Sequence, residues 1–338
     1  MSGIVVPTPS RHVRIDHASA VYAATRAARE TGRAAGLPDV LTERAAVVTS
    51  ELAGNLDKHA VNGSVVVQRA TTGLGIDVLA ADDGPGMTDL EHWLLDGNTT
   101  TATLGTGLGA VKRMATVFRI RSAPGSGTIA AARVLAPGTP AGRAAAMAHF
   151  CLPREGESVC GDAVAIAETS GSQTAVVADG LGHGPDAAEA ADVALSVFAQ
   201  NPDRPLAHQI ASMHRALRAT RGAAIALARI TPRRLEFCGI GNVIGTTLNG
   251  RSRPGLLLSI PGIVGFTSPV AQVRQAPLAD GDVVVLHTDG IDPGWRTAGD
   301  HVAARPGDAL LLAAELAHRH RNPRDDAAVI ALHPDRIT

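Results

Sequence analysis

The sequence predicts an α+β protein built from two domains. Its 338 residues exceed the ~100–200 residues of a typical domain, so the chain is long enough for two cores. The segment APGTPAGRAA at residues 136–145 is rich in proline, glycine and alanine and lacks a hydrophobic period. We therefore predict a first domain over residues 1–137, a linker over 138–146 and a second domain over 147–338.

The first half reads as a strand, two helices and then a strand-rich segment. Helices are predicted over residues 18–35 and about 38–60, the second with one apolar face formed by Leu41, Ala45, Val48, Leu52 and Leu56. The apolar runs SVVVQRA and GIDVLAA follow as strands around a Thr-Gly turn. A short helix from about 108 to 116 precedes two further strands, VFRIRSA and GTIAAARVL.

The second half is dominated by strands, with two helices inserted midway. Strands are predicted at about 147–152, 159–168, 222–231, 234–239 and 243–249, and in the runs TAVVAD, DVVVLHTDG and AAVIAL. The inserted helices cover about 185–199 and 205–220, and a last helix covers about 307–319. This order favours a layered α+β domain.

Composition excludes several classes of function. The net charge of −1 gives no electrostatic reason to expect binding to nucleic acid or to a membrane surface, and aromatic residues make up 2% of the chain. The three cysteines form no C-x-x-C pair, so neither a disulfide framework nor a thiolate zinc site is expected. We find no signal peptide and no apolar run long enough to span a bilayer, and we expect a cytoplasmic protein.

Three features of the first half are typical of a nucleotide site. Glu51 and Asn55 lie four residues apart on the second helix, where a carboxylate and an amide can act as a base and a magnesium ligand. Asp82, at the end of a strand, can accept a hydrogen bond from an exocyclic amine such as that of adenine. The following Gly84 and Gly86 let the backbone approach a flat base. The alternatives are a solvated polar pair and an ordinary Asp-Gly turn.

The third feature is a glycine-rich run at a helix start. Gly105, Gly107 and Gly109 lead into a helix that carries Lys112, and free N–H groups at a helix N-terminus bind phosphate. By itself the run is equally typical of a flexible loop. The order and spacing of the three features together are more specific than any one of them.

With these three features the first half resembles the GHKL ATPase superfamily over about residues 10–135. ELAGNLDKHA resembles its N box, DDGPGM its first glycine box and LGTGLGAVKRM its second. Within the superfamily the likeness is to the small RsbT-like serine kinases and anti-sigma factors of bacterial partner-switching modules. The resemblance implies an ATPase α/β sandwich that binds ATP with Mg²⁺. It also implies that Asn55 holds the metal, that Asp82 and the glycines hold the nucleotide, and that Glu51 is the catalytic base.

Four aspartates of the second half adjoin apolar strands. Because an ionised carboxylate near a dry core is costly unless it is paired or metal-bound, their oxygens predict a site for Mg²⁺ or Mn²⁺. Hairpin turns are the alternative, but the sequence after Asp179-Gly180 becomes helical, which is typical of a strand-to-helix corner. The predicted ligands are Asp162, Asp179, Asp289 and Asp325.

These segments resemble metal-dependent protein serine/threonine phosphatases of the SpoIIE-like, RsbX-like branch. GDAVAIAE, VVADGLGHGPDAAEAA, FCGIGNV, VVLHTDGI and DDAAVIAL occur in that family's order over about residues 147–333. The resemblance implies an α-β-β-α layered sandwich in which Asp179 bridges two metals and the Gly180 carbonyl ligates one. The choice between Asp325 and Asp326 stays open, with Asp325 favoured by the motif, and His183 is either a general acid or a solvated loop residue.

Together the two resemblances imply a partner-switching regulator. The second half would remove phosphate from serine or threonine of a partner, with a STAS-domain anti-sigma antagonist as the expected substrate and a sigma factor as a further partner. The first half would act as a serine kinase on the same system. The alternatives are a non-catalytic ATP-dependent binding module and an ATP sensor that regulates the phosphatase.

Overall fold

The computed structural model describes residues 3–6, 9–94, 107–138, 145–169, 171–248, 254–267, 270–296 and 308–334. The chain forms two units, which we call the N-terminal unit (Ser10–Ala145 and Leu310–Arg319) and the C-terminal unit (Met1–Pro9, Ala146–Ala309 and His320–Thr338). The main division at Ala145–Ala146 lies within the predicted linker. Two segments differ from the predicted division. Met1–Pro9 belongs to the C-terminal unit, and Leu310–Arg319 belongs to the N-terminal unit.

The N-terminal unit alternates helices and strands in the predicted order. Its helices are α1 (Ala18–Ala34), α2 (Asp39–His59), α3 (Leu90–Trp93) and α4 (Gly107–Met114). Its strands are β2 (Arg11–Ile15), β3 (Gly63–Arg69), β4 (Gly75–Asp82), β5 (Val117–Ser122) and β6 (Thr128–Leu135), numbered after β1 of the other unit.

These five strands form one antiparallel sheet in the order β2-β3-β4-β6-β5. The apolar face of α2, including Val48 and Leu52, packs with Val65 and Val78 of the sheet in one fully buried core. The three- and four-residue spacing of the helix residues therefore predicted the buried face correctly.

A buried ion pair crosses this sheet. Asp77 on β4 lies directly opposite Arg133 on β6. Both side chains are fully buried, with Arg133 Nε 2.5 Å from Asp77 Oδ1 and Nη2 2.7 Å from Oδ2. Thr72 Oγ1 accepts a further bond from Nη1 at 3.0 Å. This two-pronged geometry satisfies the charges that burial would otherwise penalise.

The C-terminal unit is dominated by strands. They are β1 (Gly3–Val5), β7 (Met147–Leu152), β8 (Asp162–Thr169), β9 (Ser172–Gly180), β10 (Ala223–Thr231), β11 (Arg234–Ile240), β12 (Ile244–Leu248), β13 (Gly255–Leu258), β14 (Arg274–Pro277), β15 (Val283–His287) and β16 (Ala327–Leu332). The helices that begin in this part of the chain are α5 (Pro185–Gln200), α6 (Leu206–Ala216) and α7 (Ala309–Glu315).

The strands form two antiparallel sheets, in the orders β1-β8-β9-β10-β11-β14 and β13-β12-β15-β16-β7. A core that includes Val164, Phe237, Leu286 and Ile330 joins inner faces of the two sheets. A second core, on the other face of the six-stranded sheet, packs it against α5 and α6. The layered α+β architecture predicted for both halves is confirmed, and in the described residues no helix is long and apolar enough to cross a membrane.

Candidate functional site

The end of α2 and the end of β4 carry the predicted nucleotide residues of the N-terminal unit. Glu51 and Asn55 are both half-buried on α2, beside the fully buried Leu52 and Ala53. The helix therefore fixes their backbone through its apolar face while leaving their polar groups accessible. Glu51 and Asn55 share one helix face, as their spacing predicts.

Asp82 is buried at the last position of β4, and its carboxylate organises the loop that follows. Its Oδ1 accepts a hydrogen bond from the Gly84 N–H at 2.7 Å. Burial raises the pKa of Asp82, and the bond from Gly84 opposes that shift. Such a carboxylate, held at a strand end, can accept a hydrogen bond from a nucleotide amine.

The glycines of this loop are required by close approaches. Gly86 has φ +69°, and a Cβ there would lie 2.0 Å from the Ala123 carbonyl oxygen. Gly127 in the facing turn has φ +68°, and a Cβ there would lie 2.0 Å from the Asp82 carbonyl oxygen. The Pro85 carbonyl also accepts a bond from the Gly125 N–H at 2.8 Å. The loop Asp82–Gly86 and the turn Ala123–Gly127 therefore pack backbone against backbone.

Of the second glycine run, Gly107 and Gly109 are among the described residues. Gly107 begins α4 with φ +46°, and Gly109 is buried in its first turn. A helix that starts at Gly107 presents free N–H groups there, as a phosphate site requires. Gly105 lies outside the described residues.

Two of the predicted metal ligands meet across a strand pair of the C-terminal unit. Asp162 opens β8 and Asp179 lies near the end of β9, and the antiparallel register places them directly opposite each other. Directly opposed residues point to the same face of a sheet, with Cβ atoms about 4.5–5.5 Å apart. Burial, followed by the charge of Asp179, raises the pKa of Asp162 well above its usual value.

Asp289 and Asp325 approach Asp179 from two loops. Burial raises the pKa of Asp179 to about 7, and the negative charges of Asp289 and Asp325 add to the increase. The approach depends on Gly290, because a Cβ there would lie 1.9 Å from the Asp326 carbonyl oxygen. A glycine after Asp289 therefore lets the two carboxylate-bearing loops pack together.

Asp325 and Asp326 differ in how their carboxylates are used. Both oxygens of the buried Asp326 accept backbone hydrogen bonds, Oδ1 from the Arg154 N–H and Oδ2 from the Gly161 N–H, each at 2.9 Å. Asp325 is half-exposed, and one of its oxygens accepts the N–H of Asp326 at 3.0 Å. Asp326 thus anchors the loop that leads into Asp162, whereas Asp325 has a second carboxylate oxygen that could bind a metal ion.

Gly180 is placed at the strand-to-helix corner that the sequence predicts. Its N–H donates to the Gly161 carbonyl at 3.0 Å, and a Cβ on it would lie 2.0 Å from the Ala187 carbonyl oxygen of α5. The glycine therefore lets the end of β9 lie directly against α5. In the loop between them, His183 Nδ1 lies 2.7 Å from Glu157 Oε1, so this histidine has a carboxylate partner.

Two polar residues of the site were not among the predicted ligands. Asn242 Nδ2 donates to Asp289 Oδ2 at 2.5 Å, and its amide also lowers the pKa of Asp179. Thr288 Oγ1 donates to Asp162 Oδ2 at 2.7 Å and accepts the Ala328 N–H at 3.0 Å. For Asn242, the run FCGIGNV around it indicates only a glycine-containing turn. For Thr288, its place beside Asp289 at a strand end was the available signal.

The donor set suits a hard divalent cation. Burial, with the repulsion of neighbouring carboxylates added to it, raises the pKa values of Asp162, Asp179 and Asp325, and a cation among these groups would favour their charged forms. Across the described ranges, however, no three Asp, Glu, His or Cys side chains converge on a ready-made metal position. Hydrogen bonds from Asn242 and Thr288 occupy part of the carboxylate oxygens instead.

Comparison with known proteins gives a separate match for each half. Residues 16–133 match the histidine kinase-like ATPase domain, and residues 169–335 match the family described as stage II sporulation protein E (SpoIIE). The serine/threonine-protein kinase RsbT of Bacillus subtilis is 34% identical over 110 residues, which are 32% of this chain and 83% of RsbT.

The second half has its own relatives. The phosphoserine phosphatase RsbX of Bacillus subtilis is 25% identical over 145 residues, which are 42% of this chain and 73% of RsbX. A crystal structure of RsbX in complex with magnesium covers 55% of this chain and 92% of its own, with a TM-score of 0.50 and 22% identity, which supports the fold alone. The chain therefore belongs to the histidine kinase-like ATPase family through its RsbT-like N-terminal part, to which it joins a SpoIIE-type, RsbX-like phosphatase domain.

Proposed function

We propose that the C-terminal unit removes phosphate from phosphoserine or phosphothreonine of a partner protein in a bacterial partner-switching system. The observation that carries this proposal is the register of β8 and β9, which sets Asp162 opposite Asp179 where Asp289 and Asp325 also approach. The similarity to RsbX, a phosphoserine phosphatase, supports the same reaction.

Divalent metal ions, Mg²⁺ or Mn²⁺, would be held by Asp162, Asp179, the Gly180 carbonyl, Asp289 and Asp325. When bound they would supply a water of lowered pKa and neutralise the phosphoryl oxygens. The chain's own residues prepare these ligands. Asn242 orients the carboxylate of Asp289, Thr288 orients that of Asp162, and Asp326 fixes the loop before Asp162.

The test uses the full chain with Mg²⁺ or Mn²⁺ and a STAS-domain protein phosphorylated on serine. Asp289→Ala should lower the rate of phosphate release by at least about 10–100-fold, the range seen when even an outer partner of a catalytic metal is removed. Asp280→Ala is the matched control, because Asp280 is an exposed carboxylate in a turn. Equal rates for the wild type and Asp289→Ala would refute the phosphatase assignment.

We further propose that the N-terminal unit binds ATP with Mg²⁺ and transfers its γ-phosphate to serine of a partner in the same system. Asp82 would accept the adenine amine, the loop to Gly86 would lie under the base, and Gly105, Gly107 and Gly109 would line the phosphates. Asn55 would hold the metal and Glu51 would take the proton of the attacking hydroxyl. The burial of Asp82 and the half-exposed face of Glu51 and Asn55 support these roles.

Radiolabel transfer from ATP separates kinase activity from simple binding. Asn55→Ala should abolish label transfer to a STAS-domain protein, and Glu51→Ala should abolish transfer while ATP still binds. A wild-type chain that binds ATP and transfers no label would instead be a binding module for an antagonist or a sigma factor.

A further inference from the structure

The segment Leu310–Arg319 belongs to the N-terminal unit although the chain on both sides of it belongs to the C-terminal unit. It comprises α7 from Leu310 onward and all but the last residue of a π-helical turn over Leu316–His320. Turns of this kind are rare and occur frequently at functional sites. Its last two residues contact the loop Asp82–Gly86, which carries the proposed adenine ligand.

Arg319 joins that loop to the turn that faces it. Its Nη2 donates to the carbonyl of Ser126 at 2.5 Å and lies 3.4 Å from the carbonyl oxygen of Asp82. Its Nε lies 3.5 Å from the carboxylate of Asp83. One guanidinium therefore contacts the backbone of both Asp82 and the Ala123–Gly127 turn, and it adds to the backbone contacts that hold the loop against the turn.

His318 adds a second attachment to the same loop. Its Nδ1 lies 2.8 Å from Ser64 Oγ, and its Nε2 lies 3.4 Å from Asp83 Oδ1. The imidazole side chain is 8% exposed, whereas the side chain of Asp83 is 45% exposed, so only the histidine side of the contact with Asp83 is shielded from water. A hydrogen bond between shielded groups, such as that of His318 with the buried Ser64, is electrostatically stronger than one in water.

The residues that follow immediately are bonded to the loop after Asp289. The carbonyl of His320 accepts the Asp292 N–H at 2.8 Å, and the Asn322 N–H donates to the Gly290 carbonyl at 2.8 Å. Arg321 and Ile291 also form a β-bridge. Consecutive residues, Arg319 and His320, thus contact the loop of the proposed adenine ligand and the loop of a proposed metal ligand.

We propose that nucleotide binding at the Asp82–Gly86 loop regulates the phosphatase centre through residues 318–322. This inference rests on the proposed functions of the two sites. A nucleotide that bonds Asp82 shifts the backbone to which Arg319 is attached. Because Arg319 and His320 share a peptide bond, the shift changes the hydrogen bonds that hold the Gly290–Asp292 segment beside Asp289. By linkage, if nucleotide changes the affinity of the phosphatase centre for metal, the metal changes the affinity for nucleotide by the same factor.

Hydrogen exchange of the full chain tests the inference without relying on phosphatase activity. Peptides covering residues 82–86, 289–292 and 320–322 are followed with and without saturating ADP, at one Mg²⁺ concentration that is kept the same in both samples. In the wild type, nucleotide should change exchange at 289–292 by about fivefold or more, a typical size for coupling between sites. Arg319→Ala should abolish that response at nucleotide concentrations that saturate both proteins. Arg26→Ala, an exposed arginine on α1, is the matched control.

Hydrolysis of p-nitrophenyl phosphate with and without a non-hydrolysable ATP analogue gives the functional readout. A nucleotide response in wild type and Arg26→Ala that disappears in Arg319→Ala supports the inference. It is overturned if nucleotide leaves residues 289–292 unchanged, or if Arg319→Ala responds like the wild type. A chain without hydrolytic activity would refute the phosphatase assignment alone, because the exchange experiment still decides the coupling.

Discussion

Replacing Asp326 with asparagine separates an anchoring carboxylate from a metal ligand. Asp326 uses both carboxylate oxygens to accept backbone N–H groups at 2.9 Å, whereas an asparagine amide offers one acceptor and one donor. One backbone N–H therefore loses its acceptor. A hydrogen bond to a charged group contributes about 1.5–3 kcal/mol, and the surviving bond also loses its charge. We expect a loss of about 2–4 kcal/mol in the free energy of unfolding.

Calorimetry of the full chain measures this loss as a change in the transition of the C-terminal unit. For a unit of this size about 2–4 kcal/mol lowers Tm by about 4–16 °C. The matched variant is Asp325→Asn, whose amide oxygen can still accept the Asp326 N–H. It removes a carboxyl group whose pKa is raised by burial and by the charge of Asp289. We expect its Tm without metal to lie within about 2 °C of the wild type.

The two variants should also differ in their response to metal. Added Mg²⁺ should raise the Tm of Asp326→Asn and leave that of Asp325→Asn unchanged, since ligands that bind only the folded state stabilise it. The opposite pattern, with Asp325→Asn unstable and Asp326→Asn unresponsive to Mg²⁺, would show that the structural roles of these neighbours are reversed.

Three further predictions concern the N-terminal unit. Asp77→Ala removes the carboxylate that holds the buried Arg133 and should lower the stability of this unit by about 3–5 kcal/mol in calorimetry; a change below about 1 kcal/mol would contradict the ion-pair argument. Gly86→Ala should weaken ATP binding by about tenfold or more in titration calorimetry, whereas Gly125→Ala, at φ +76° with open space around it, should not. Burial lowers the pKa of His318, so the unfolded chain binds the proton first as pH falls below about 6.5. The free energy of unfolding should therefore decrease as the pH is lowered below about 6.5, by at most about 1.4 kcal/mol per pH unit. His318→Gln should remove this contribution to the pH dependence.

The sequence predicts most elements of the fold because their signals are local. The helical spacing along α2 and the alternation of apolar strands with glycine turns depend on neighbouring residues alone. The element over about 307–319 was predicted as a helix, and it is one over Ala309–Glu315 with a π-helical turn after it. The local pattern does not indicate to which unit that helix belongs, and most of it belongs to the N-terminal unit.

The same distinction holds for the site. Asp162 and Asp179 could be singled out because each adjoins an apolar strand, yet their direct opposition depends on the β8–β9 register. Asn242 and Thr288 carry no comparable signal, since an amide in a turn and a hydroxyl at a strand end are common. Their roles follow from contacts with Asp289 and Asp162, at sequence separations of 47 and 126 residues. Such long-range pairings are fixed by tertiary packing.

The short strand β1 has a consequence for the behaviour of the purified protein. Gly3–Val5 covers the outer side of β8, pairing Gly3 with Glu168 and Val5 with Ile166. Without that cover, β8 would present unpaired backbone groups to other chains, a common cause of self-association. Removing the first nine residues should therefore promote concentration-dependent aggregation, and an affinity tag is better placed elsewhere.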